Sequence, residues 1–571
     1  MRLLFYIKMF CKKNKKVVII YRISLILILQ KRTFLFMRRI ILFTCLSVFL
    51  SFNAFSQNFK YDYEELNKTS KKYDALMQLV EYFYVDKVDK PKLTEEAIVY
   101  VLKNLDPHST YIPKDEVQRQ KAPLEGSFDG IGVQFQIVKD TVLIIAPIVD
   151  GPSAKVGIMA GDKIVKINNE PAVGKKINNE YVFSKLRGPK GSIVTLGIWR
   201  KGQKEVLDFT IKRDKIPLYS VTAKYMIDKE TGYIKLSQFA RTSMDEFRAA
   251  LSMLKSKGMK NLIFDLRDNP GGYMDIAYDL VDEFLPAGKL GVYTQGLKSK
   301  RQDYYTTSKG DFEKGKLIIM VDEGSASSSE IVAGGVQDWD RGLIIGRRTF
   351  GKGLVQRPFM LPDSSVIHLT VSRYYTPSGR NIQKPYENGS EDYALEVYKR
   401  MLHGEFMHAD SIKFPDSLKF YTHAKRLVYG GGGIMPDYFI PADTSFVSAF
   451  YRDVSRKGLI NDFRLQYMDE NRDKLKNKYA TFEVYKKDLR IGDEILDAFV
   501  KYADAKGVKP AAADMKISGN TIKTILRAMI AQDIFAENTY YEIISDIDNE
   551  LQQAKQLMYD KKAFDKLTES N

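Results

Sequence analysis

The chain has 571 residues, 44% hydrophobic and 12% aromatic, which excludes a disordered chain and, at roughly 100–200 residues per domain, predicts about three or four domains. Two cysteines exclude a disulfide-rich scaffold and a cysteine-based zinc finger. The net charge of +17 suggests a nucleic-acid partner, but residues 1–56 hold eleven Lys and Arg and no Asp or Glu; the remainder has 77 basic against 71 acidic residues, and that +6 argues against one.

Residues 1–56 read as a leader. From Met37 the order is that of a signal peptide: Arg38-Arg39, an apolar run from Ile40 to Phe52, then Ala54-Phe55-Ser56 with small residues at −3 and −1 of a cleavage site. A run of thirteen is shorter than the roughly 20 residues that span a membrane. Residues 1–36 are either a misplaced start or a basic, apolar extension that associates the chain with a membrane. Cys45 lacks the small residues of a lipoprotein signal before it, and Cys11 is the only other cysteine, so cleavage near Ser56 leaves a cysteine-free chain. The expectation is an exported protein, periplasmic or membrane-associated on the extracytoplasmic side.

Residues 57–125 read as helical, with Leu76, Leu79, Val80 and Phe83 at helical spacing and Pro107 ending the second helix. Residues 126–215 form a small β-rich module whose strand runs include 142–145, 163–167 and 193–196, with one helix around 178–186. Residues 216–444 alternate strands (261–266, 316–321) with helices (244–255, 274–284), which argues for α/β layering. Residues 445–571 read as helical; Ile522, Ile525, Leu526, Met529 and Ile530 share one face, with Asn520 as the expected cap.

The familiar hydrolytic motifs are missing. No Gly-x-Ser-x-Gly elbow surrounds any serine, and His403 and His408 are five apart, off the spacing of a zinc-protease helix. Gly346 to Gly353 is one residue from a phosphate-binding loop, but Gly353 lacks the hydroxyl that would meet magnesium. No metal or cofactor is expected. Two segments remain, each after an apolar strand: Asp265-Leu-Arg-Asp-Asn-Pro-Gly-Gly272 and Asp322-Glu-Gly-Ser-Ala-Ser-Ser-Ser-Glu330. Each brings Gly and small polar residues to a strand end, where a sheet offers backbone N–H groups to a cleft. By chemistry alone the serine-rich turn reads as a helix cap, and Ser325 and Ser329 are as good nucleophiles as Ser327.

Six segments, in order, resemble the C-terminal processing (tail-specific) serine peptidases with an inserted PDZ domain. They are Leu105-Asp-Pro-His-Ser-Thr-Tyr111; Gly130-Ile-Gly-Val133 with Leu186-Arg-Gly-Pro-Lys-Gly191; 265–272; 324–330 with 346–356; Tyr375-Thr-Pro-Ser-Gly-Arg-Asn-Ile-Gln383; and 431–437. The resemblance covers roughly 75–437 and leaves out 445–571. It implies a crotonase-like layered α/β protease core at 216–444, a PDZ domain at 126–215 and an N-terminal helical region at 57–125; the helical reading of 445–571 rests on its apolar spacing alone. It also implies a Ser–Lys dyad with the lysine 25 residues after the serine, a spacing that selects Ser327 and Lys352. A serine hydroxyl needs an adjacent base, and lysine is one only when its pKa falls from about 10.4.

By the same resemblance Gln356 orients the lysine amine, and backbone N–H groups of Gly271, Gly272 and Ser328 hold the oxyanion. Asp338 gives structural support. The PDZ module takes a substrate's C-terminus on Gly130, Ile131, Gly132 and Val133 with Leu186 and Arg187, as an added strand whose carboxylate meets backbone N–H groups. Val182 joins Ile131, Val133 and Leu186 as groove lining, or all four are simply the module's core. The implied partners are proteins with free, apolar C-termini, with room for an adaptor protein or a homo-oligomer. The competing reading is a PDZ scaffold with a catalytically silent peptidase core.

Overall fold

The computed structural model describes residues 63–138, 140–148, 151–174, 177–565 and 567; the expected leader, with both cysteines and the expected cleavage site, lies outside them. Two compact units meet in sequence at Leu93 and Thr94. The described part of the first is α1 (Tyr63–Phe83) and the start of α2 (Lys90–Lys103), with Lys90 paired to Glu81 at 2.8 Å. Leu76, Leu79 and Phe83 lie in α1 as the spacing predicts, but all three are exposed.

In the second unit, β1 (Thr110–Ile112) and α3 (Lys114–Leu124) lead into the β-rich module. The sequence reading made this stretch wholly helical; instead β1 pairs antiparallel with a strand at residues 366–375. The module consists of β2 (Ser127–Gly130), β3 (Val133–Val138), β4 (Thr141–Pro147), one turn α4 (Pro152–Lys155), β5 (Lys163–Ile167), β6 (Glu170–Pro171), α5 (Asn179–Leu186), β7 (Ile193–Trp199), β8 (Leu207–Lys212) and β9 (Asp214–Pro217). Its main sheet runs β3-β4-β5-β7-β8, so β3 is an edge strand. Asn178 caps α5 by accepting the Tyr181 N–H at 2.8 Å.

The α/β core follows with β10 (Val221–Met226), β11 (Thr231–Leu236), α6 (Ser243–Ser256), β12 (Asn261–Asp265), α7 (Met274–Phe284), β13 (Leu290–Gln295), β14 (Gln302–Tyr305), β15 (Leu317–Val321), α8 (Ser328–Asp338), β16 (Leu343–Gly346), β17 (Leu354–Met360), β18 (Val366–Tyr375), α9 (Ser390–Leu402), the hairpin β19 (Lys419–Tyr421) and β20 (Leu427–Tyr429), and β21 (Tyr438–Phe439). One sheet has the order β10-β11-β12-β15-β16-β21, parallel except for its first pair. A second has the order β1-β18-β13-β14, with β17 also on β18.

The parallel strands are buried on both faces, so their sequences are apolar runs rather than alternations. Leu262, Phe264, Leu317, Ile319, Val321 and Ile344 pack on α6, α7 and α8. The intervening Ile263, Ile318, Met320, Leu343 and Ile345 face Leu551, Ala554 and Met558 from the C-terminal end of the chain.

That region is α10 (Ala449–Arg456), α11 (Leu459–Lys478), α12 (Phe482–Lys487), α13 (Arg490–Ala505), α14 (Ala512–Ile534), α15 (Glu537–Ile544), α16 (Asn549–Tyr559) and α17 (Lys561–Asp565). The helices α10 to α15 have their own core, around Phe450, Phe463, Phe499, Ile522 and Leu526. Asn520 does not cap: α14 begins eight residues earlier, where Asp514 accepts the Ala511 N–H at 2.9 Å, and Asn520 sits inside the helix.

Candidate active site

β15 ends in the serine-rich turn, and α8 starts from it. Of its four serines, three serve the framework. Ser325 Oγ donates to Leu266 O at 2.8 Å, Ser329 Oγ to Asn269 O at 2.8 Å, and Ser328 Oγ to Gly272 O at 3.1 Å; all three residues are buried. Ser327 is half-buried, and among the described residues its hydroxyl donates to no acceptor. Its carbonyl closes the first helical turn, accepting from Glu330 and Ile331 at 2.9 and 3.0 Å. Its φ of +54° is rare for a residue with a side chain, and a conformation of this kind costs roughly 1–3 kcal/mol and collects at functional sites.

Lys352 lies on the loop between β16 and β17. The family spacing brings it to Ser327 through two residues that sequence reasoning missed. Glu330, fully buried, accepts the backbone N–H of Ser327 at 2.8 Å and of Lys352 at 2.9 Å on one oxygen. Its other oxygen accepts Gly351 N–H at 2.8 Å and the Thr349 hydroxyl at 2.5 Å. The Tyr374 hydroxyl reaches Ser327 O at 3.1 Å and also Lys352 O. Ser327 and Lys352 are therefore fastened to each other through their main chains.

No carboxylate pairs with the Lys352 amine among the described residues. Burial lowers its pKa, while the charges of Glu330 and Asp106 oppose that fall. Burial pushes the Glu330 carboxyl up to about 7 against the pull of its four donors. His108 is driven down to about 4, by burial first and then by Lys352, and it meets the Tyr393 hydroxyl at 2.8 Å.

A second chain of contacts reaches this site from the segment after α2. Asp106 is buried and accepts from His108 N–H at 2.8 Å, Ser109 N–H at 2.9 Å, Ser109 Oγ at 2.6 Å and Thr370 Oγ1 at 3.0 Å. Thr370 Oγ1 in turn accepts from Gln356 Nε2 at 3.1 Å. Asp106 and Thr370 thus hold the side chain expected to orient the lysine.

The loop after β12 brings Gly271 against Ser327. Its φ is +101°, and a side chain there would start 2.8 Å from Ser327 Cβ and 3.0 Å from Ser328 N, so only glycine fits. Gly271 departs from the expected oxyanion set, because its N–H already donates to Asn269 Oδ1 at 2.9 Å. Among the described residues no acceptor takes the N–H of Gly272 or of Ser328, and those two remain. Asp338 sits at the far end of α8, in a fully buried ion pair with Arg380 at 2.7 Å, and accepts Ser378 N–H at 2.9 Å.

In the β-rich module, Gly130 to Val133 lies between β2 and β3 at the open sheet edge. Ile131, Val182 and Leu186 are buried in the module's core, which is the plainer of their two sequence readings. The half-buried groups at that edge are Val133, Phe135 and Phe183, the two rings edge-to-face at 5.4 Å. Arg187 lies over the rings of Phe183 and Phe128, at 4.6 and 4.7 Å.

Residues 230–389 match peptidase family S41, 116–199 match the PDZ domain, and 450–536 match a family of unknown function, DUF8443. A carboxy-terminal-processing protease of Bartonella bacilliformis is 37% identical over 321 residues, covering 55% of this chain and 73% of the relative. The carboxy-terminal processing protease CtpB of Bacillus subtilis is 34% identical over 324 residues, covering 56% and 67%. Among solved structures, the photosystem II D1 C-terminal processing protease is 27% identical with a TM-score of 0.32, covering 54% of this chain and 83% of that one.

Proposed function

The chain belongs to the carboxy-terminal-processing proteases, S41 serine peptidases with a PDZ domain, and from that premise we propose that Ser327 and Lys352 are its nucleophile and base, acting on exported proteins selected by their free C-terminal tails. One observation carries the dyad: the Glu330 carboxylate binds the main chains of both residues and leaves their side chains unengaged.

In this reading the neutral Lys352 amine takes the Ser327 proton as Oγ attacks the scissile carbonyl. The oxyanion rests on the N–H groups of Gly272 and Ser328. The lysine returns the proton to the departing amine, and water, activated the same way, hydrolyses the acyl-serine. The open edge of β3 supports tail selection, since an extended peptide can add there as a strand with its carboxylate at Gly130 to Val133. Export rests on the leader at 1–56; no described helix is long and apolar enough to cross a membrane.

The test is cleavage of a C-terminally tagged reporter by the chain lacking residues 1–56, beside its Ser327→Ala and Lys352→Ala forms. Both variants should stay folded and lose cleavage. Activity retained in Ser327→Ala would refute the dyad.

A further inference from the structure

All the reacting groups proposed above lie before residue 357, yet the last helices of the chain grip the loops that carry them. In the parallel sheet β15, which leads to Ser327, lies between β12 and β16. Arg267 follows β12 on the loop to Gly272, and Arg347 follows β16 on the loop to Lys352. Glu550, in the first turn of α16, joins the two: one oxygen accepts from Arg267 Nη1 at 3.2 Å and the other from Arg347 Nη1. Asp548, the cap of α16, takes Arg267 through both oxygens at 3.0 and 2.7 Å. Arg347 Nε also donates to Glu323 at 2.7 Å, on the loop that leads to Ser327. The three loops of the site are thus linked through two arginines and the start of one helix.

The seat of that helix is apolar. Leu551, Ala554 and Met558 cover Ile263, Ile318 and Met320 on the second face of the sheet, which fixes the backbone presenting Glu550. The arginines are largely withdrawn from water, where charge-assisted, bidentate hydrogen bonds hold geometry best. Removal of Glu550 leaves Arg267 with Asp265 and Asp548 and Arg347 with Glu323, but takes away the one carboxylate that the two arginines share.

We propose that Glu550 and Asp548 are positioning residues for the peptidase reaction, so that the C-terminal end of the chain completes the active site by fixing the oxyanion loop against the lysine loop. This rests on the assignment of Gly272 and Lys352 given above.

The experiment uses the full chain with Glu550→Gln, Arg347→Gln and the two combined, measuring kcat and KM on a short unstructured peptide together with the folded fraction at the assay temperature. Glu550→Gln and Arg347→Gln should each lower kcat about 10-fold with KM within about twofold, as for loss of transition-state contacts alone. The double variant should be no slower than the slower single one, because both break the same bridge. Asp548→Asn, which leaves that bridge intact, serves if Glu550→Gln does not fold, and should show the same split between kcat and KM. Wild-type kcat in folded Glu550→Gln or Asp548→Asn, losses that multiply in the double variant, or a kcat loss equal to the loss of folded protein would each overturn the proposal. Peptidase activity surviving in Ser327→Ala would instead refute the dyad and leave the clamp to be judged by these variants.

Discussion

The backbone N–H of Lys352 donates to the carboxylate of Glu330 at 2.9 Å across 22 residues of chain. Every group that meets this carboxylate is a donor, so a side chain that presents an amide NH2 on one side must break part of the set. Glu330→Gln should lower kcat by about 10- to 100-fold, the range for lost preorganisation, because it frees the Lys352 loop from the Ser327 turn. Steady-state kinetics on a soluble peptide, with circular dichroism to confirm the fold, measure this. Unchanged kcat would mean that Tyr374 alone suffices to join the two loops.

The serines of the turn separate by role. Ser325→Ala and Ser329→Ala remove buried hydroxyls that donate to main-chain carbonyls, so each should cost about 1–2 kcal/mol of stability while keeping most of kcat. Denaturant unfolding and peptide cleavage, run on the same preparations, test both halves. Loss of activity in a folded Ser325→Ala protein would reopen the choice of nucleophile.

The rate should rise with pH. In the proposed dyad Lys352 acts only when neutral, and its pKa lies below the ordinary lysine value because of burial. The titratable groups around it are Glu330 from α8, Asp106 and His108 from the segment after α2, and His368 from β18, and burial keeps both histidines neutral in this range. The anion of Asp106 favours the protonated amine, so Asp106→Asn should move the ascending limb of kcat/KM to lower pH. Thr370→Val keeps that charge and releases Gln356, so it should lower kcat without moving the limb. Equal shifts in the two variants would contradict this division of roles. Lys352→Arg should be inactive throughout, since guanidinium stays protonated.

Tail selection has its own test. Reporters ending in Ala-Ala, Ala-Ala-amide and Asp-Asp differ in the carboxylate and in the apolar end that would meet Val133, Phe135 and Phe183. Amidation removes the charge, and a terminal Asp places an acidic group in an apolar groove, which is costly. Cleavage of a folded reporter should fall about 10-fold or more in both cases, the scale of one lost charge-assisted contact. Short unstructured peptides should show little difference. Equal cleavage of all three folded reporters would remove the module from substrate selection.

What the sequence determined by itself is whatever depends on near neighbours or on a fixed count. The strands of the parallel sheet are readable because burial on both faces demands unbroken apolar runs, whereas by chemistry alone the serines of the turn were equivalent and only the family resemblance, through its interval of 25 residues, pointed to Ser327. Ser-x-x-Glu at the start of α8 even carried a local signal for Glu330, because a glutamate three residues into a helix reaches back to the N–H before it. Tertiary structure alone decided which groups of different elements share one carboxylate. Thr370 meets Asp106 across 264 residues, and Arg267 meets Asp548 across 281. Such pairs follow from the order of strands in a sheet and the face on which a distant helix lands. The same was true of Gly271, whose N–H is taken up by Asn269 Oδ1, and of Asn520, which helix propagation from Ala512 carries past its expected role as a cap. Spacing in a chain fixes what can meet within a turn or along a strand; which distant residues meet is set by packing, where burial and hydrogen-bond satisfaction over the whole domain choose the partner.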